Sequence, residues 1–281
     1  MITLRDWWQQ QRQQHPEFAP ELDWLVRCVT GWDTLTLRWG QATGSEFLPQ
    51  LTSLWQRYLQ TREPVQYLVG RTTWRDMELL VTPGVLVPRP ETELLVDLAA
   101  QWAKRWGLTT SHWADLGIGS GAIALGLLRL LPGITMHGVD CSEMALHIAQ
   151  ANARHLGLEK RLILHRGNWF DPLSHLQGQL QGMVSNPPYI PSALLATLPP
   201  EVQHEPQLAL DGGPDGLQPL RYLVTTAPLY LQPGGLWAVE TMSGQTTAVV
   251  HFLTEQGGYR DIQVFRDWAG HDRFVLARWI G

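Results

Sequence analysis

Predicted strands and helices alternate from about Thr92 to Arg278, and this alternation restricts the possible folds more than any other feature of the chain. Strands that alternate with helices of about 10–15 residues favour a parallel sheet with helices on both faces. The last two strands are an exception, because only Asp267–Asp272 joins them and a parallel crossover needs about a dozen residues or more. We therefore predict an α/β fold with a doubly wound sheet of seven strands, the last hairpin being antiparallel.

The individual segments follow from the spacing of apolar residues and from the positions of glycine and proline. Helices are predicted over 92–105, 122–131, 142–156, 216–231 and 245–256, and Pro228 is expected to kink or end the fourth of them. Strands are predicted over 113–116, 134–139, 162–165, 183–185, 236–241, 262–266 and 274–278.

The first part of the chain has a different pattern. Apolar residues recur at helical spacing over 22–29 and again over 51–58, and breaks such as Gly40–Gly44 separate short helices. From Gly70 to Pro90 the residues are of β type around turn signals, and Val85–Val87 are included in this hairpin. We predict a small helical bundle domain over 1–69, a β-hairpin linker over 70–88 and the sheet domain over 89–281.

The composition limits the classes of partner. The net charge is −5, which disfavours contact with a phosphate backbone unless a local basic patch is present. Cys28 and Cys141 lack the close spacing of a secreted disulfide scaffold, and no signal peptide or run of roughly 20 apolar residues is visible. We expect a cytoplasmic protein that acts as a monomer and contacts neither nucleic acid nor a membrane directly.

A glycine-rich turn follows the first predicted strand of the sheet. The turn consists of Gly117, Ile118, Gly119, Ser120 and Gly121. Glycines at this position let the backbone approach a ligand that a Cβ atom would block. Asp140, at the end of the second strand, can accept hydrogen bonds from both hydroxyls of a ribose. The pattern fits S-adenosylmethionine and a nicotinamide dinucleotide equally well, and a purely structural turn is a third alternative.

The third strand ends at the same edge of the sheet, in front of Asn168, Trp169 and Phe170. Either aromatic ring has the shape to stack on adenine, and Asn168 has the polar atoms to bond its amine. The alternative is an aromatic pair that packs beneath a loop; this is less expected for Trp169, because a buried indole N–H needs a polar partner.

The turn after the fourth predicted strand is the segment that we predict to hold the reacting group of the substrate. It consists of Asn186, Pro187, Pro188 and Tyr189. The two prolines remove two backbone donors and fix two φ angles, so the turn presents acceptors. If the Asn186 side-chain oxygen and the Pro187 carbonyl accept both N–H bonds of a planar amide or aromatic amine, its nitrogen can pyramidalise toward a methyl donor. A rigid turn that ends a strand is the structural alternative.

Methyl transfer needs no metal, and no metal site is predicted. The ten histidines show no His-x-x-x-His or Cys-His ligand spacing. His271, in the last hairpin turn, is interpreted as a solvated turn residue.

Several longer motifs accompany these residues in a fixed order. They are Arg62–Gly70, Val85–Glu93, the glycine turn, Asn186–Ile190, Glu205–Gly213 and Asp267–Arg273. With them, nearly the whole chain from Arg62 resembles the bacterial-type protein-glutamine N5-methyltransferases that modify peptide chain release factors. Their fold, a seven-stranded Rossmann-like sheet with an antiparallel last hairpin, agrees with the predicted architecture.

The resemblance implies roles for particular residues. S-adenosylmethionine would contact Gly117–Gly121, Asp140, Trp169 and Asn186, and the turn Asn186–Tyr189 would hold the substrate glutamine. Further roles are implied for three segments: 88–93 would lie over the methionine end of the cofactor, the loop 201–216 would wall the substrate cleft, and the N-terminal helices would grip the release factor.

The sequence departs from the family pattern in three places. Asn168 stands where an acidic residue is expected, Thr241–Gly244 replaces a glycine-rich turn, and Met77–Leu79 matches only in character, as does the tryptophan-rich N-terminus.

Two other substrates are compatible with the same motifs. One is a glutamine of a ribosomal protein. The other is adenine N6 in DNA, which the acidic net charge and the absence of a Lys/Arg run disfavour. A dehydrogenase or a non-catalytic binding module would leave the acceptor turn unexplained.

Overall fold

The computed structural model describes residues 2–39 and 44–281. It divides into two compact units, Met1–Thr72 with Pro199–His204 and Thr73–Leu198 with Glu205–Gly281. The helix break predicted at Gly40–Gly44 lies almost wholly outside the described residues. The helices are α1 Leu4–Gln14, α2 Ala19–Thr30, α3 Thr34–Trp39, α4 Leu48–Thr61, α5 Val65–Val69, α6 Glu93–Trp106, α7 Ala122–Leu130, α8 Glu143–His155, α9 Pro200–Gln203, α10 Gln218–Thr226 and α11 Thr246–Gln256. The strands are β1 Arg71–Trp74, β2 Met77–Leu80, β3 Thr110–Leu116, β4 Gly133–Asp140, β5 Leu162–Arg166, β6 Leu180–Ser185, β7 Leu231–Glu240, β8 Tyr259–Arg266 and β9 Asp272–Trp279.

The first unit is helical. Thr3 and Asp6 form a capping box that satisfies the free N–H groups at the start of α1. The apolar core of this unit includes Leu22 and Leu25 on one face of α2, and Leu51 and Trp55 on one face of α4. The short helix α9 belongs to this unit, where Glu201 accepts a hydrogen bond of 2.9 Å from the Tyr58 hydroxyl and pairs with Arg62.

The second unit contains the seven-stranded sheet, in the order β5-β4-β3-β6-β7-β9-β8. Strands β3 to β7 are parallel, whereas β9 pairs antiparallel with both β7 and β8. The predicted seven-stranded α/β sheet with an antiparallel last hairpin is therefore confirmed. Strand residues alternate between two apolar layers, because neighbouring side chains of a strand point to opposite faces: Trp113 packs with α6, α7 and α8, and Ala114 packs with α10 and α11.

One local prediction is wrong and another is confirmed. Val85–Val87 were assigned to the hairpin, but β1 and β2 alone form it, and a turn closed by the Val85 N–H and the Thr82 carbonyl follows. The expected end of the helix 216–231 at Pro228 is confirmed: α10 stops at Thr226, and Pro228 lies in a short 3₁₀ turn because it lacks the N–H that would continue the helix. This early end lets β7 begin at Leu231, well before the predicted position 236.

In the part of the chain that the structure describes, none of the helices combines the length and apolar character that a bilayer span requires. Within the same residues, no group of three or more His, Cys, Asp or Glu side chains is arranged to hold a metal ion.

Three histidines form a row across β3, β4 and β5. His137 Nε2 lies 2.9 Å from His112 Nδ1, and His137 Nδ1 lies 2.9 Å from His165 Nε2. In each contact one ring nitrogen must donate and the other accept, and a neutral His137 can do this with its one donor and one acceptor nitrogen. Burial, together with the neighbouring His165, His112 and His175, lowers the pKa of His137 to about 4.

We expect His137→Gln to reduce the acid sensitivity of the fold. Because the folded-state pKa of His137 lies below the ordinary value of about 6.5, its neutral form stabilises the protein above that value, and this stability is lost as the pH falls toward 4. The loss should amount to about 2 kcal/mol in the wild type, at about 1.4 kcal/mol per pH unit. Urea unfolding at pH 7, 5.5 and 4.5 measures it, with the exposed His251→Gln as control. Equal slopes in all three proteins would contradict the expectation.

Candidate active site

A cavity of about 240 Å³ opens at the carboxyl ends of the parallel strands. It lies where β3 is flanked by β4 on one side and β6 on the other, the point at which the strand order reverses and where open α/β sheets bind ligands. Residues that follow four different strands line it. They are Gly117, Ile118, Gly119 and Ser120 after β3, Asp140, Cys141 and Ser142 at β4, Gly167, Asn168 and Trp169 after β5, and Asn186 and Pro188 after β6.

The glycine turn forms the floor of this cavity. Gly119 has a φ of +54°, and a Cβ atom built on it would meet no atom within 4 Å, so its backbone faces open space. Gly121 does not line the cavity. A Cβ there would lie 3.2 Å from Leu125 and 3.4 Å from Ala149, so this glycine permits close packing of α7 against α8.

Asp140 fixes the shape of the turn from the neighbouring strand. Its Oδ2 accepts a hydrogen bond of 3.0 Å from the Gly119 N–H, and its Oδ1 accepts one of 2.9 Å from the Ser142 N–H. Burial raises the pKa of the Asp140 carboxyl above its ordinary value, and these N–H groups oppose the rise. The carboxylate thus lies at the cavity wall with its position set by two backbone donors.

The adjacent side chains of Trp169 and Phe170, which follow β5, lie in different environments. Trp169 lines the cavity and has a φ of +48°, a left-handed conformation that is rare for a residue with a bulky side chain. Phe170 is fully buried and stacks on Tyr230 with ring centroids 4.6 Å apart. The alternative in which Phe170 stacks on a ligand is therefore wrong, while Asn168 does line the cavity.

The turn after β6 presents only part of itself to the cavity. Asn186 and Pro188 line it, whereas Pro187 is buried. The Tyr189 hydroxyl donates a hydrogen bond of 3.3 Å to Glu240 Oε1 at the end of β7. Burial raises the pKa of Tyr189, so this hydroxyl remains protonated and acts as a donor.

Glu240 also connects to Asn186 through Thr92. The Thr92 hydroxyl donates to Glu240 Oε2 at 2.6 Å, and Asn186 Nδ2 donates to Thr92 Oγ1 at 3.1 Å. Burial raises the pKa of Glu240 to about 7, while the Thr92 hydrogen bond and the nearby Arg273 favour its charged form. With a donor on each oxygen, the carboxylate is satisfied in its ionised state.

A second set of contacts holds the backbone of the turn. Gln245 Nε2 donates hydrogen bonds to the carbonyls of Tyr189, at 2.9 Å, and Gly216, at 3.2 Å. Ile190 exchanges backbone hydrogen bonds of 3.0 and 2.8 Å with Leu210 and Gly212. These contacts attach Tyr189 and Ile190, at the end of the turn, to the loop that follows and to Gln245 before α11.

The opposite wall comes from the segments around Arg89 and Glu205. Arg89 lines the cavity and pairs with Glu205, whose side chain is 1% exposed. Pro206, Leu208 and Ala209 continue this wall. The two sequence motifs 88–93 and 205–213 therefore lie next to each other beside the glycine turn.

Glu240 and Gln245 are site residues that the sequence analysis did not single out. Glu240 lies 54 positions after Asn186 in the sequence, and no local spacing connects them. One signal was available: Glu240 is a charged residue directly after the apolar run 236–239, at a strand end that faces the predicted ligand.

Comparisons with known proteins agree with this fold. The family model described as Methyltransferase small domain matches residues 92–196. A methyltransferase from Pyrococcus furiosus is 15% identical with a TM-score of 0.51, covering 84% of this chain and all of that one (100%). The hMettl16 catalytic domain is 14% identical with a TM-score of 0.59, covering 82% and 91%. At these identities the likeness establishes the fold alone, which is that of methyltransferases.

Sequence relatives are much closer. The release factor glutamine methyltransferase of Synechocystis sp. is 50% identical over 268 residues, covering 92% of this chain and 89% of the relative. The protein of the same name from Thermosynechococcus vestitus is 50% identical over 268 residues, covering 92% and 90%, and that from Gloeobacter violaceus is 46% identical over 264 residues, covering 93% and 91%. The motifs, the sheet order and these relatives agree, and the chain belongs to the release factor glutamine methyltransferase family.

Proposed function

We propose that this enzyme transfers the methyl group of S-adenosylmethionine to the N5 nitrogen of a glutamine side chain in a peptide chain release factor. The position of Asn186 supports this most directly, because its side-chain amide lines the same cavity as the glycine turn. A methyl donor on the turn and an amide nitrogen at Asn186 would then occupy one enclosed space. The named activity of the relatives supports the choice of substrate.

The residues present fit S-adenosylmethionine. The open space over the Gly119 backbone gives room for the cofactor, the Asp140 carboxylate would accept the ribose hydroxyls, and the Trp169 ring would stack on adenine. Thr92 and Arg89 line the remaining wall, beside the place we assign to the methionine end. When bound, the cofactor supplies an electrophilic methyl group on a sulfonium sulfur.

The enzyme's own contribution is to orient a poor nucleophile. An amide nitrogen reacts slowly because its lone pair is delocalised into the carbonyl group. Asn186 Oδ1 and the Pro187 carbonyl would accept the two N–H bonds and free the lone pair to point at the methyl group. Positioning of this kind lowers a barrier by roughly 7–11 kcal/mol in ideal cases. The nitrogen loses a proton to water only after transfer, when it has become acidic, so no strong base is required.

Labelled S-adenosylmethionine, incubated separately with purified release factors, large-subunit ribosomal proteins and duplex DNA, tests the proposal. We expect label on a single glutamine of a release factor, identified by mass spectrometry of the digested protein. Label confined to ribosomal protein would retain glutamine as the acceptor but overturn the substrate class. Label confined to DNA would overturn the whole proposal, since the acceptor would then be adenine.

A further inference from the structure

In the ionised state of Glu240, the hydrogen bonds around it have a defined direction. Its Oε1 faces the Tyr189 hydroxyl and its Oε2 faces the Thr92 hydroxyl, and both hydroxyls donate. A threonine hydroxyl has a single proton, so once it points at Glu240, the Thr92 oxygen can only accept from its remaining neighbour. That neighbour is the Asn186 side-chain amide, at 3.1 Å.

The direction of this series of hydrogen bonds, from Asn186 to Thr92 to Glu240, determines which end of the Asn186 amide faces Thr92. The oxygen and nitrogen of an asparagine amide are assigned from their hydrogen-bond partners. Only the NH₂ group can donate to Thr92, and the amide oxygen is then turned away from it. With the opposite rotamer, the Asn186 and Thr92 oxygens would face each other as two acceptors with no proton between them, which is unfavourable.

We propose that Thr92 and Glu240 act as positioning residues that present the Asn186 oxygen, rather than its NH₂ group, to the reacting nitrogen. This inference rests on the proposed function, because an oxygen is needed only if the substrate brings N–H groups. An NH₂ group in that place would repel the substrate amide. Thr92 belongs to the segment before α6 and Glu240 ends β7, so two distant parts of the chain determine one rotamer.

Kinetics of Thr92→Val provide the first test. Valine has nearly the shape of threonine but neither donates nor accepts, so the Asn186 amide loses the contact that selects its orientation. We expect kcat toward the release factor to fall roughly tenfold, while KM for the release factor and the dissociation constant of S-adenosylmethionine stay within about threefold. Thr92→Ser, which keeps the hydroxyl, should restore most of kcat. Thr254→Val, at an exposed position on α11, is the matched control.

The ¹⁵N spectrum of asparagine-labelled protein provides a second test that needs no methyl acceptor. The side-chain signals of Asn186, assigned by their loss in Asn186→Ser, should move in Thr92→Val and stay near their wild-type positions in Thr92→Ser. Unchanged signals in Thr92→Val, or equal losses of kcat in the valine and serine variants, would overturn the inference. If the wild type methylates no release factor, the proposed function fails, while the spectrum still decides the orientation of Asn186.

Discussion

Asn186→Ala should lower kcat for methyl transfer by about 10²–10³-fold, the loss observed when one preorganised hydrogen-bonding group is removed from an active site. Alanine cannot accept an N–H bond from the substrate amide, so the lone pair of the substrate nitrogen is no longer directed at the methyl group. The fold should persist, because the Asn186 side chain is only partly buried and the backbone of the turn is held by Gln245. Initial rates with a purified release factor measure the effect, and thermal unfolding measures the fold.

Thr197→Ala is a suitable control for the Asn186 variant. Its side chain is exposed, and its hydroxyl donates a hydrogen bond to the nearby Leu194 carbonyl. We expect wild-type kcat for this control and a similar melting temperature for both variants. If kcat of Asn186→Ala were within a few-fold of the wild-type value, the proposed hydrogen bond between Asn186 and the substrate amide would be refuted.

The parts of the site that lie at strand ends could be predicted from the sequence. Asp140 and Asn186 each follow an apolar strand, and the alternation of strands with helices brings the ends of parallel strands to one edge of the sheet. Gly117 and Gly119 follow from the same reasoning, whereas Gly121 has a packing role that the glycine pattern does not distinguish from a place in the cavity. For the residues other than Gly121, local pattern and topology were sufficient.

The orientation of neighbouring side chains could not be predicted in this way. Trp169 and Phe170 are adjacent and both aromatic, yet one lines the cavity and the other packs in the core against Tyr230. The left-handed backbone at Trp169 produces the difference, and no residue pattern predicts a positive φ at a tryptophan. The sequence alone therefore leaves both rings as possible stacking partners. The backbone geometry shows that only Trp169 lines the cavity.

Long-range polar contacts were missed for a related reason. Thr92 and Glu240 are 148 positions apart, and each has a simple local explanation, as a residue at a helix start and as a residue at a strand end. Only the folded chain brings them to 2.6 Å and joins them to Asn186. Periodicity locates elements and edges, whereas a buried hydrogen-bond network depends on which edges meet.

Gly216→Ala should have the second large effect, by displacing the turn that carries Asn186. Gly216 has a φ of +74°, and a Cβ atom on it would lie 2.4 Å from the Tyr189 carbonyl oxygen and 2.7 Å from Gln245 Nε2. The first of these is a backbone atom, so the turn itself must move. Since a misplacement of about 1 Å near reacting groups can cost roughly 10²-fold, we expect a loss of kcat of that order. Initial rates at saturating S-adenosylmethionine measure it.

Gly157→Ala separates this steric effect from backbone strain. Gly157 has a similar φ of +68°, but a Cβ atom there would meet nothing within 4 Å. Gly157→Ala should lose about 1 kcal/mol of unfolding free energy, because alanine tolerates a positive φ poorly. Gly216→Ala should lose more, because of its additional clash with the Tyr189 carbonyl, and only Gly216→Ala should lose kcat. If Gly216→Ala does not fold, Gln245→Met removes the same support from the Tyr189 carbonyl without adding bulk at the turn, and its kcat should also fall. Wild-type kcat in Gly216→Ala, or in Gln245→Met, would show that methyl transfer does not depend on the position of this turn.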